Sequence, residues 1–484
     1  MAAAHPSRDA GTSTRSAPKG PPPRRGVVDA LKYVWGFATD PIGFVGDRFA
    51  RYGDVYFVPP PATDLLGRFR PGAGNGPADP GDEKGLFVFK HPDHLREVLV
   101  TRASSFGKDH TAFRSLSQVL GEGLLTTDGD QWKRQRRMVA PAFAPARLAG
   151  YARVMTEESL RTVRDWRDDQ VIDLGAEMTS LTLRVVSRAL FGHDSTGDTA
   201  SVAHAMSTFQ DWLTRPDVFP RAISPQRRAI ARSIETLDRI IYGLIEKRRA
   251  HAAGKTGNDA LPDLLGLLVT AVDEEGDGGT MSEREVRDQL VTLFLAGHET
   301  TSHALTWTIY LLSQHPEATA KLHDELGTVL GGRAAEYDDL PKLPWTGQVF
   351  DEAMRLYPPV YSLARRATED TEIGGYAVRA GSEVMLWTYF TQRDARFFPE
   401  PEAFRPERFA PGEEAKLPRM AYLPFGGGPR ACIGKAFATM EGRLLLANLV
   451  QRFSFELVKG QRVAPRPKIT LVPKRAVKMR LHAR

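Results

Sequence analysis

Cysteine is almost absent from this sequence, since Cys432 is the single cysteine among 484 residues. One cysteine excludes an internal disulfide framework and suits a reducing compartment, so we expect a cytoplasmic protein.

Long apolar runs are also missing. The stretch 290–297 is among the longest, whereas a membrane helix needs about 20 apolar residues. The sequence therefore predicts a soluble protein without a membrane anchor.

Basic charge is concentrated at the two ends of the chain. Residues 1–26 carry a net +4 and residues 457–484 a net +9, which leaves about −7 for the rest of a total of +6. No basic stripe with interleaved aromatics occurs in that remaining part, so we expect no nucleic-acid partner. Residues 1–26 also lack the apolar segment of a secretory signal. Their composition predicts a disordered tail, with a mitochondrial transit peptide as the alternative.

The periodicity of apolar residues is mostly helical, above all over 130–314. Strand-like alternation occurs at 54–58, 85–90, 371–384 and 468–481. These patterns predict a mainly α protein with small β-sheets, of the α+β class, and the length alone allows two to four domains or one large enzyme domain. Residues 59–84 are crowded with Pro, Gly and Asp and predict a loop insertion. Residues 102–128 have apolar side chains but no sustained period, which predicts a covering loop.

The cysteine lies in a glycine-rich loop, Phe425–Gly434, which reads Phe-Gly-Gly-Gly-Pro-Arg-Ala-Cys-Ile-Gly. Taken alone, a single cysteine is more often a small buried apolar residue than a functional one. A phosphate-binding loop is excluded, because that motif needs glycine where Pro429 stands. An apolar run with helical spacing follows at 436–450. A thiol at a helix N-terminus is favoured as thiolate, the form that ligates metals.

A long helix is predicted from Ser282 to Gln314. Ser282 and Glu285 form a capping box before an apolar periodic run, which gives about 32 residues and about 48 Å. Its middle reads Ala-Gly-His-Glu-Thr-Thr, residues 296–301. Gly297 costs about 1 kcal/mol relative to alanine inside a helix, and polar groups follow it. This local penalty predicts a notch that faces a ligand.

Zinc is the rival chemistry at this helix, because His298 and Glu299 followed by His303 resemble a metalloprotease motif. That motif needs histidines at i and i+4 on one helix face, whereas His303 stands at i+5, about 140° round the helix. Ser302 occupies the required position instead. The spacing therefore argues against zinc, and we expect His298 to be exposed or hydrogen-bonded locally.

Two further pairs have helical spacing. Glu352 and Arg355 share a helix face, but solvated pairs of this kind contribute only about 0.3 kcal/mol and are a weak signal. Trp132 and Arg136 also face the same way, on a basic helix. A solvated charged face is the plainer interpretation of that helix. A buried dianionic ligand would instead need several cations and an indole donor from separate elements.

Together, these residues resemble the cytochrome P-450 family of haem-thiolate monooxygenases, soluble bacterial type. The loop matches the family's Phe-x-x-Gly-x-Arg-x-Cys-x-Gly, and the long helix matches its Ala/Gly-Gly-x-Asp/Glu-Thr. Glu352-x-x-Arg355 with Arg408 matches the Glu-Arg-Arg triad, and Trp132-x-x-x-Arg136 matches the haem-contacting helix. The resemblance implies the cytochrome P-450 fold, a triangular helical prism with a long central helix over the haem, with residues 27–484 forming one catalytic domain.

The resemblance also implies roles for individual residues. Cys432 is expected to be the axial ligand of haem b, and Glu352, Arg355 and Arg408 a structural triad. The residues expected to contact the haem are Trp132, Arg136, Arg365, Phe425, Arg430 and Gly434, with Arg366 as the alternative to Arg365. Thr300 and Glu299 are expected to relay protons during catalysis. The residues expected around the substrate are Leu125, Ala296, Val360, Leu363 and Ile469.

The activity implied is insertion of one oxygen atom from O2 into an apolar substrate, by hydroxylation or epoxidation. The substrate is expected to be long aliphatic, terpenoid or polyketide-like. Electrons from NAD(P)H are expected to arrive through a separate ferredoxin or flavodoxin with its reductase, docking at a basic patch of Lys133, Arg134, Arg137 and Lys435. A monomer is expected. The alternative is a haem-binding protein without monooxygenation, such as a peroxygenase, sensor or carrier, and the Glu299–Thr300 pair argues against it.

Overall fold

A computed structural model describes residues 18–21, 27–60, 84–109, 111–192, 205, 208, 224–253, 263–276 and 278–484. Most of the predicted tail over 1–26 and most of the predicted insertion over 59–84 lie outside these residues. The two units into which the chain divides are described separately below.

Helices account for most of the described secondary structure. In chain order they are α1 (Val27–Thr39), α2 (Pro41–Tyr52), α3 (Pro92–Arg96, continued by a π-turn at Glu97–Thr101), α4 (Thr111–Leu120), α5 (Gly129–Val139), α6 (Pro145–Asp165), α7 (Leu174–Phe191), α8 (Pro225–Ala253), α9 (Leu264–Thr270), α10 (Glu283–Gln314), α11 (Pro316–Leu330), α12 (Pro344–Leu356), α13 (Thr388–Thr391) and α14 (Lys435–Arg452). The strands are β1 (Val55–Val58), β2 (Leu86–Phe89), β3 (Phe106–Gly107), β4 (Val171–Asp173), β5 (Leu363–Ala367), β6 (Thr371–Ile373), β7 (Tyr376–Val378), β8 (Glu383–Leu386), β9 (Phe453–Leu457), β10 (Pro465–Pro467), β11 (Leu471–Pro473) and β12 (Lys478–Ala483). The prediction of a mainly α protein with small sheets is confirmed.

The first unit, residues 1–106 with 365–385, is built on a five-stranded sheet in the order β1-β2-β8-β5-β3. Strands β1 and β2 pair antiparallel, with Val55 opposite Phe89. Both faces of these two strands are buried, and the rings of Phe57 and Phe87 lie 4.8 Å apart. Burial on both faces explains why their sequences are continuously apolar rather than alternating.

The second unit, residues 107–364 with 386–484, is organised around α10. This helix has the 32 residues that the sequence predicts, and both halves of its capping box form. The Glu285 amide donates to Ser282 Oγ at 3.2 Å, and the Ser282 amide donates to Glu285 Oε2 at 2.8 Å. Helix α10 packs against α7, α8, α12 and α14, so most of its residues are buried.

Residues 102–128 contain a helix that the sequence reasoning missed, α4. Phe113, Leu116 and Leu120 are spaced by three and four, but a ten-residue run beside irregular segments is too short to be distinguished from a loop. Short helices of this kind are stable mainly through tertiary packing. The side chains of Val119 and Leu120 are buried in the core that surrounds α10.

The hairpin β10–β11 reaches α10 from the C-terminal part of the chain. Pro465 pairs with Pro473, and the turn between the strands is residues 468–470. The indole of Trp307, in α10, donates to the Leu471 carbonyl at 2.8 Å. This contact holds β11 of the hairpin against the C-terminal half of the long helix. Among the described residues, every helix is too short or too polar to cross a bilayer.

Candidate active site

The cysteine loop is closed by a backbone hydrogen bond from the Cys432 amide to the Phe425 carbonyl, at 2.9 Å. Gly434 is the N-cap of α14. Gly426 and Gly428 have φ of +67° and +66°, a left-handed conformation that glycine adopts without strain. The glycine run therefore shapes the turn that presents the thiol immediately before the helix.

The Cys432 side chain keeps exposed surface, although many protein atoms surround it. Burial raises the pKa of the Cys432 thiol, and the Gly434 amide and the charge of Arg136 only partly offset that rise. The Gly434 amide at the helix N-terminus lowers the thiol pKa in the predicted direction, but desolvation is the larger effect and sets the net direction. Direct coordination to a metal ion deprotonates a thiol regardless.

Three predicted haem contacts lie together at this loop. The Arg430 guanidinium lies over the Trp132 ring, 3.9 Å from its centroid, and Arg136 lies 5.8 Å from the same ring. Arg136 Nη1 donates to the Ala431 carbonyl at 3.0 Å, and Arg430 Nη1 donates to the Thr127 carbonyl at 2.8 Å. Helix α5 and the cysteine loop therefore place two guanidinium groups and an indole beside the thiol.

Two charged residues of the site were missed in the sequence. Lys108 is only 8% exposed, and its Nζ donates to the Leu125 carbonyl at 2.9 Å. Asp128 accepts from the Lys108 amide and from the Arg430 guanidinium. Lys108 stands in a polar stretch, Gly-Lys-Asp-His-Thr-Ala at 107–112, so no local sequence pattern marks this cation as buried.

Arg365 belongs to the first unit, where it is buried on β5, and the neighbouring Arg366 is half-buried. The contact of Arg365 with the haem stays a prediction.

The residues predicted around the substrate all keep some exposure. Ala296 is exposed, and the partly buried members are Leu125, Val360, Leu363 and Ile469. Ile469 lines a cavity together with Glu299.

The predicted proton-relay residues lie in the middle of α10. Thr300 is partly exposed, and its hydroxyl donates to the Ala296 carbonyl at 2.7 Å. Glu299 is 7% exposed, and its Oε1 accepts from the Thr470 hydroxyl at 3.0 Å. Thr470 is a residue that the sequence reasoning missed, because it joins Glu299 only through the β10–β11 turn.

Gly297 does not form the predicted ligand-facing notch. A Cβ built on Gly297 would lie 3.1 Å from Val186 Cγ2, so the glycine allows close packing of α10 on α7.

His298 is buried, and its Nδ1 lies 2.8 Å from the Phe294 carbonyl. Its local hydrogen bond is therefore as expected, and burial lowers the pKa of its imidazole.

The Glu352–Arg355 pair is fully buried, contrary to the solvated pair that its spacing alone suggested. Both side chains are 0% exposed, and Arg355 Nε and Nη2 donate to the two carboxylate oxygens at 2.7 and 2.8 Å. Arg408 Nε lies 3.4 Å from Glu352 Oε1. The three predicted triad residues are therefore in contact, and their interior position follows from the packing of α12.

The donor set fits a flat dianion that carries a metal. Among the described residues, no group of three or more His, Cys, Asp or Glu side chains is placed to hold a metal ion. The resemblance implies that Cys432 binds the iron of a haem, a flat cofactor with two carboxylates. The guanidinium groups of Arg136 and Arg430 and the ammonium group of Lys108 match the carboxylates of such a cofactor. The side chains of Cys432 and Ala296 are both exposed in the described structure.

A single thiol ligand in a glycine-rich loop, with cations nearby and an acid–alcohol pair on a long helix, defines the class of haem-thiolate proteins. Comparison with known families agrees, because the cytochrome P450 family model matches residues 81–480. The chain is 38% identical to cyclooctatin synthase of Streptomyces melanosporofaciens, over 79% of this chain and 83% of that protein. It is 32% identical to pentalenene oxygenase of Streptomyces avermitilis, over 82% and 88% of the two chains.

A solved structure, the haem domain of cytochrome P450DA, superposes with a TM-score of 0.80 at 27% identity, covering 97% of this chain and 98% of that one. The chain belongs to the cytochrome P450 family and has its fold. It is accordingly a monooxygenase, an oxidoreductase that uses haem b and O2, with electrons from NAD(P)H delivered through redox partners.

Proposed function

We propose that this monooxygenase hydroxylates or epoxidises a terpenoid substrate. The main support for this substrate class is the similarity of the chain to two terpenoid-modifying enzymes, cyclooctatin synthase and pentalenene oxygenase. The residues proposed around the substrate support it, because all are apolar: Leu125, Ala296, Val360, Leu363 and Ile469. Such a surface favours a hydrocarbon skeleton over a charged ligand.

The cysteine loop would hold the haem. Cys432 would ligate the iron, and Trp132, Arg136 and Arg430 would bind the two haem carboxylates. When bound, the haem supplies the activation of O2, which an axial thiolate favours by donating electron density to the iron. Glu352, Arg355 and Arg408 would stabilise the segment that precedes the loop, since they join α12 to the carbonyls around residues 399–403.

Thr300 and Glu299 would deliver protons on the substrate side. The Thr300 hydroxyl donates to the Ala296 carbonyl, which leaves its oxygen lone pairs directed away from the helix backbone. Glu299 is buried one residue earlier, where a carboxyl group can exchange its proton with a hydroxyl or with water. This pair supports oxygen insertion over reversible ligand binding.

An acidic electron carrier, a ferredoxin or flavodoxin, would dock near the cysteine loop. Three cations of the predicted basic patch already form ion pairs: Lys133 with Asp130 at 2.8 Å, Arg134 with Glu285 at 2.6 Å and Arg137 with Asp273 at 2.9 Å. Lys435 is exposed, and its Nζ lies 5.9 Å from the Phe425 ring. We therefore assign Lys435 the larger part in docking.

The reaction is tested with isotopically labelled O2, a surrogate redox pair and a panel of cyclic terpenes and fatty acids. We expect one labelled oxygen atom in a terpene product and little product from the fatty acids. Thr300→Ala should still bind the terpene but divert electrons to hydrogen peroxide, and Thr300→Ser should restore coupling. Product only from fatty acids would contradict the terpenoid assignment. Unchanged coupling in Thr300→Ala would contradict the proton relay.

A further inference from the structure

A second open space adjoins α10 on the side of Glu299. It is a cavity of about 660 Å³, lined by residues of α7, by Glu299 and His303 of α10, and by the β10–β11 hairpin. Glu299 and His303 stand at i and i+4, so they lie on one face of the helix. His303 is the residue that spacing excluded as a zinc ligand, and the site described above leaves it without a role.

Thr470 joins these two side chains. Its hydroxyl oxygen lies 3.0 Å from Glu299 Oε1 and 3.0 Å from His303 Nδ1. A hydroxyl has one proton to donate, and the Thr470 hydroxyl donates it to Glu299 Oε1. Thr470 therefore donates to Glu299 and accepts from His303, which places the ring proton of a neutral His303 on Nδ1.

The hairpin holds Thr470 firmly in this position. The Thr470 side chain is 4% exposed, and the Lys468 amide donates to its carbonyl at 2.9 Å. The next residue, Leu471, donates to the Pro359 carbonyl at 2.9 Å and accepts from the Trp307 indole at 2.8 Å. The three side chains thus form a preorganised hydrogen-bonded chain, with His303 on the wall of the cavity.

His303 stays neutral at physiological pH. Burial, with smaller contributions from the neighbouring His298 and Lys468, lowers the pKa of its imidazole to about 3. The same cavity is also lined by Arg466, Lys474, Arg475 and Glu299. A neutral ring has one protonated and one free nitrogen, so it can accept a proton at one end and release one at the other.

We propose that His303 and Thr470 carry protons from the cavity to Glu299, as positioning residues that act through that carboxylate. A proton from cavity water bonds to His303 Nε2, and the Nδ1 proton passes to Thr470 Oγ. The Thr470 hydroxyl proton then bonds to Glu299 Oε1. One proton enters and one reaches the carboxylate, and no electron moves. The inference rests on the proposed role of Glu299 in proton delivery.

The hydrogen-bond order is tested by nitrogen NMR of the full-length haem protein labelled at histidine, in its diamagnetic ferrous carbon monoxide form. The His303 resonances are identified by their loss in His303→Phe. We expect the Nδ1–H tautomer in the wild type and in Thr470→Ser, and a shift toward the other tautomer in Thr470→Val. An Nε2–H tautomer in the wild type would overturn the proposed chain.

The transfer itself is tested by coupling and by the solvent isotope effect on product formation. Thr470→Val and His303→Phe should lower the fraction of electrons that reach product about tenfold and raise the isotope effect. Thr470→Ser should restore both. The control is Thr308→Val, which removes a buried hydroxyl of the same helix that donates to the Ala304 carbonyl at 2.7 Å. It should change neither quantity.

The two possible failures are distinguishable. Wild-type protein that forms no oxygenated product would contradict the proposed function, whereas the NMR result would still test the hydrogen-bonded chain. Wild-type protein that turns over, with Thr470→Val matching Thr308→Val in coupling and isotope effect, would overturn the proton path alone. Retention of the carbon monoxide spectrum establishes that each variant is folded around its haem.

Discussion

Removing the carboxylate of Glu352 should destabilise the protein severely. Arg355 and Glu352 are both 0% exposed, and Arg355 Nε and Nη2 bind the two carboxylate oxygens. The carbonyls that accept from Arg355 Nη1 and Nη2 are those of Gln392, Pro401 and Ala403, at 2.8, 2.7 and 3.1 Å. In Glu352→Gln the guanidinium keeps its carbonyl contacts but loses its counter-charge in the protein interior.

Breaking a buried ion pair by removing one partner costs about 3–5 kcal/mol, because the remaining charge is desolvated without compensation. We expect a loss in this range, which is a large part of the about 5–15 kcal/mol that stabilises a typical folded protein. Replacing both members, as in Glu352→Gln with Arg355→Met, removes the uncompensated charge of Arg355 but leaves that of Arg408, whose Nε lies 3.4 Å from Glu352 Oε1 in the wild type. The double variant should therefore recover part of the loss.

The assay is urea denaturation followed by circular dichroism, with the haem spectrum recorded alongside. Glu413→Gln is the matched control, because Glu413 and Lys416 are also three residues apart and 2.5 Å from each other but lie at the surface. An exposed pair contributes about 0–1 kcal/mol. If Glu352→Gln loses no more stability than Glu413→Gln, the reasoning about the buried pair is wrong.

Three further predictions follow from packing, burial and charge. Gly442→Ala should destabilise the folded protein by about 1–3 kcal/mol, as measured by thermal unfolding, because the new Cβ would lie 2.1 Å from Phe350 Cζ. Alanine has the higher helix propensity, so a gain in stability would contradict this prediction. Burial raises the pKa of Glu441 from 4.5 to about 8, and a hydrogen bond with the Thr301 side chain offsets only a small part of that rise. The folded protein then holds this proton where the unfolded chain has lost it, so its contribution is complete below about pH 4.5 and is lost by about pH 8. The urea midpoint of the wild type should therefore fall between about pH 4.5 and pH 8, and that of Glu441→Gln should fall less. If the two proteins show parallel pH profiles of the urea midpoint, the assignment of this proton to Glu441 is wrong. Lys435→Glu should slow reduction by an acidic ferredoxin at low salt, and an unchanged salt dependence in stopped-flow would count against the docking role.

Local sequence patterns predicted the elements that carry the site. The capping box and the apolar period of α10 specify its length, and the spacing of the loop around Cys432 specifies its turn. Both signals depend on residues close together in the chain. Periodicity also predicted the mainly α class, since amphipathic helices bury one face whatever their partners are.

Burial and long-range contacts were not predictable in the same way. The spacing of Glu352 and Arg355 places them on one helix face, but only the packing of α12 shows that this face is interior. Thr470 meets Glu299 and His303 across more than 160 residues of chain, and no local pattern specifies that contact. Gly297 was assigned to a ligand because its cost in helix propensity is visible in sequence, whereas its packing against Val186 is not.

The most direct test of the account is the spectrum of the dithionite-reduced protein with carbon monoxide. Ligation of the haem iron by the Cys432 thiolate predicts a strongly red-shifted Soret band in the wild type. Cys432→Ser should retain haem but lose that band. A wild type without the red shift, or a Cys432→Ser variant that keeps it, would contradict thiolate ligation by Cys432.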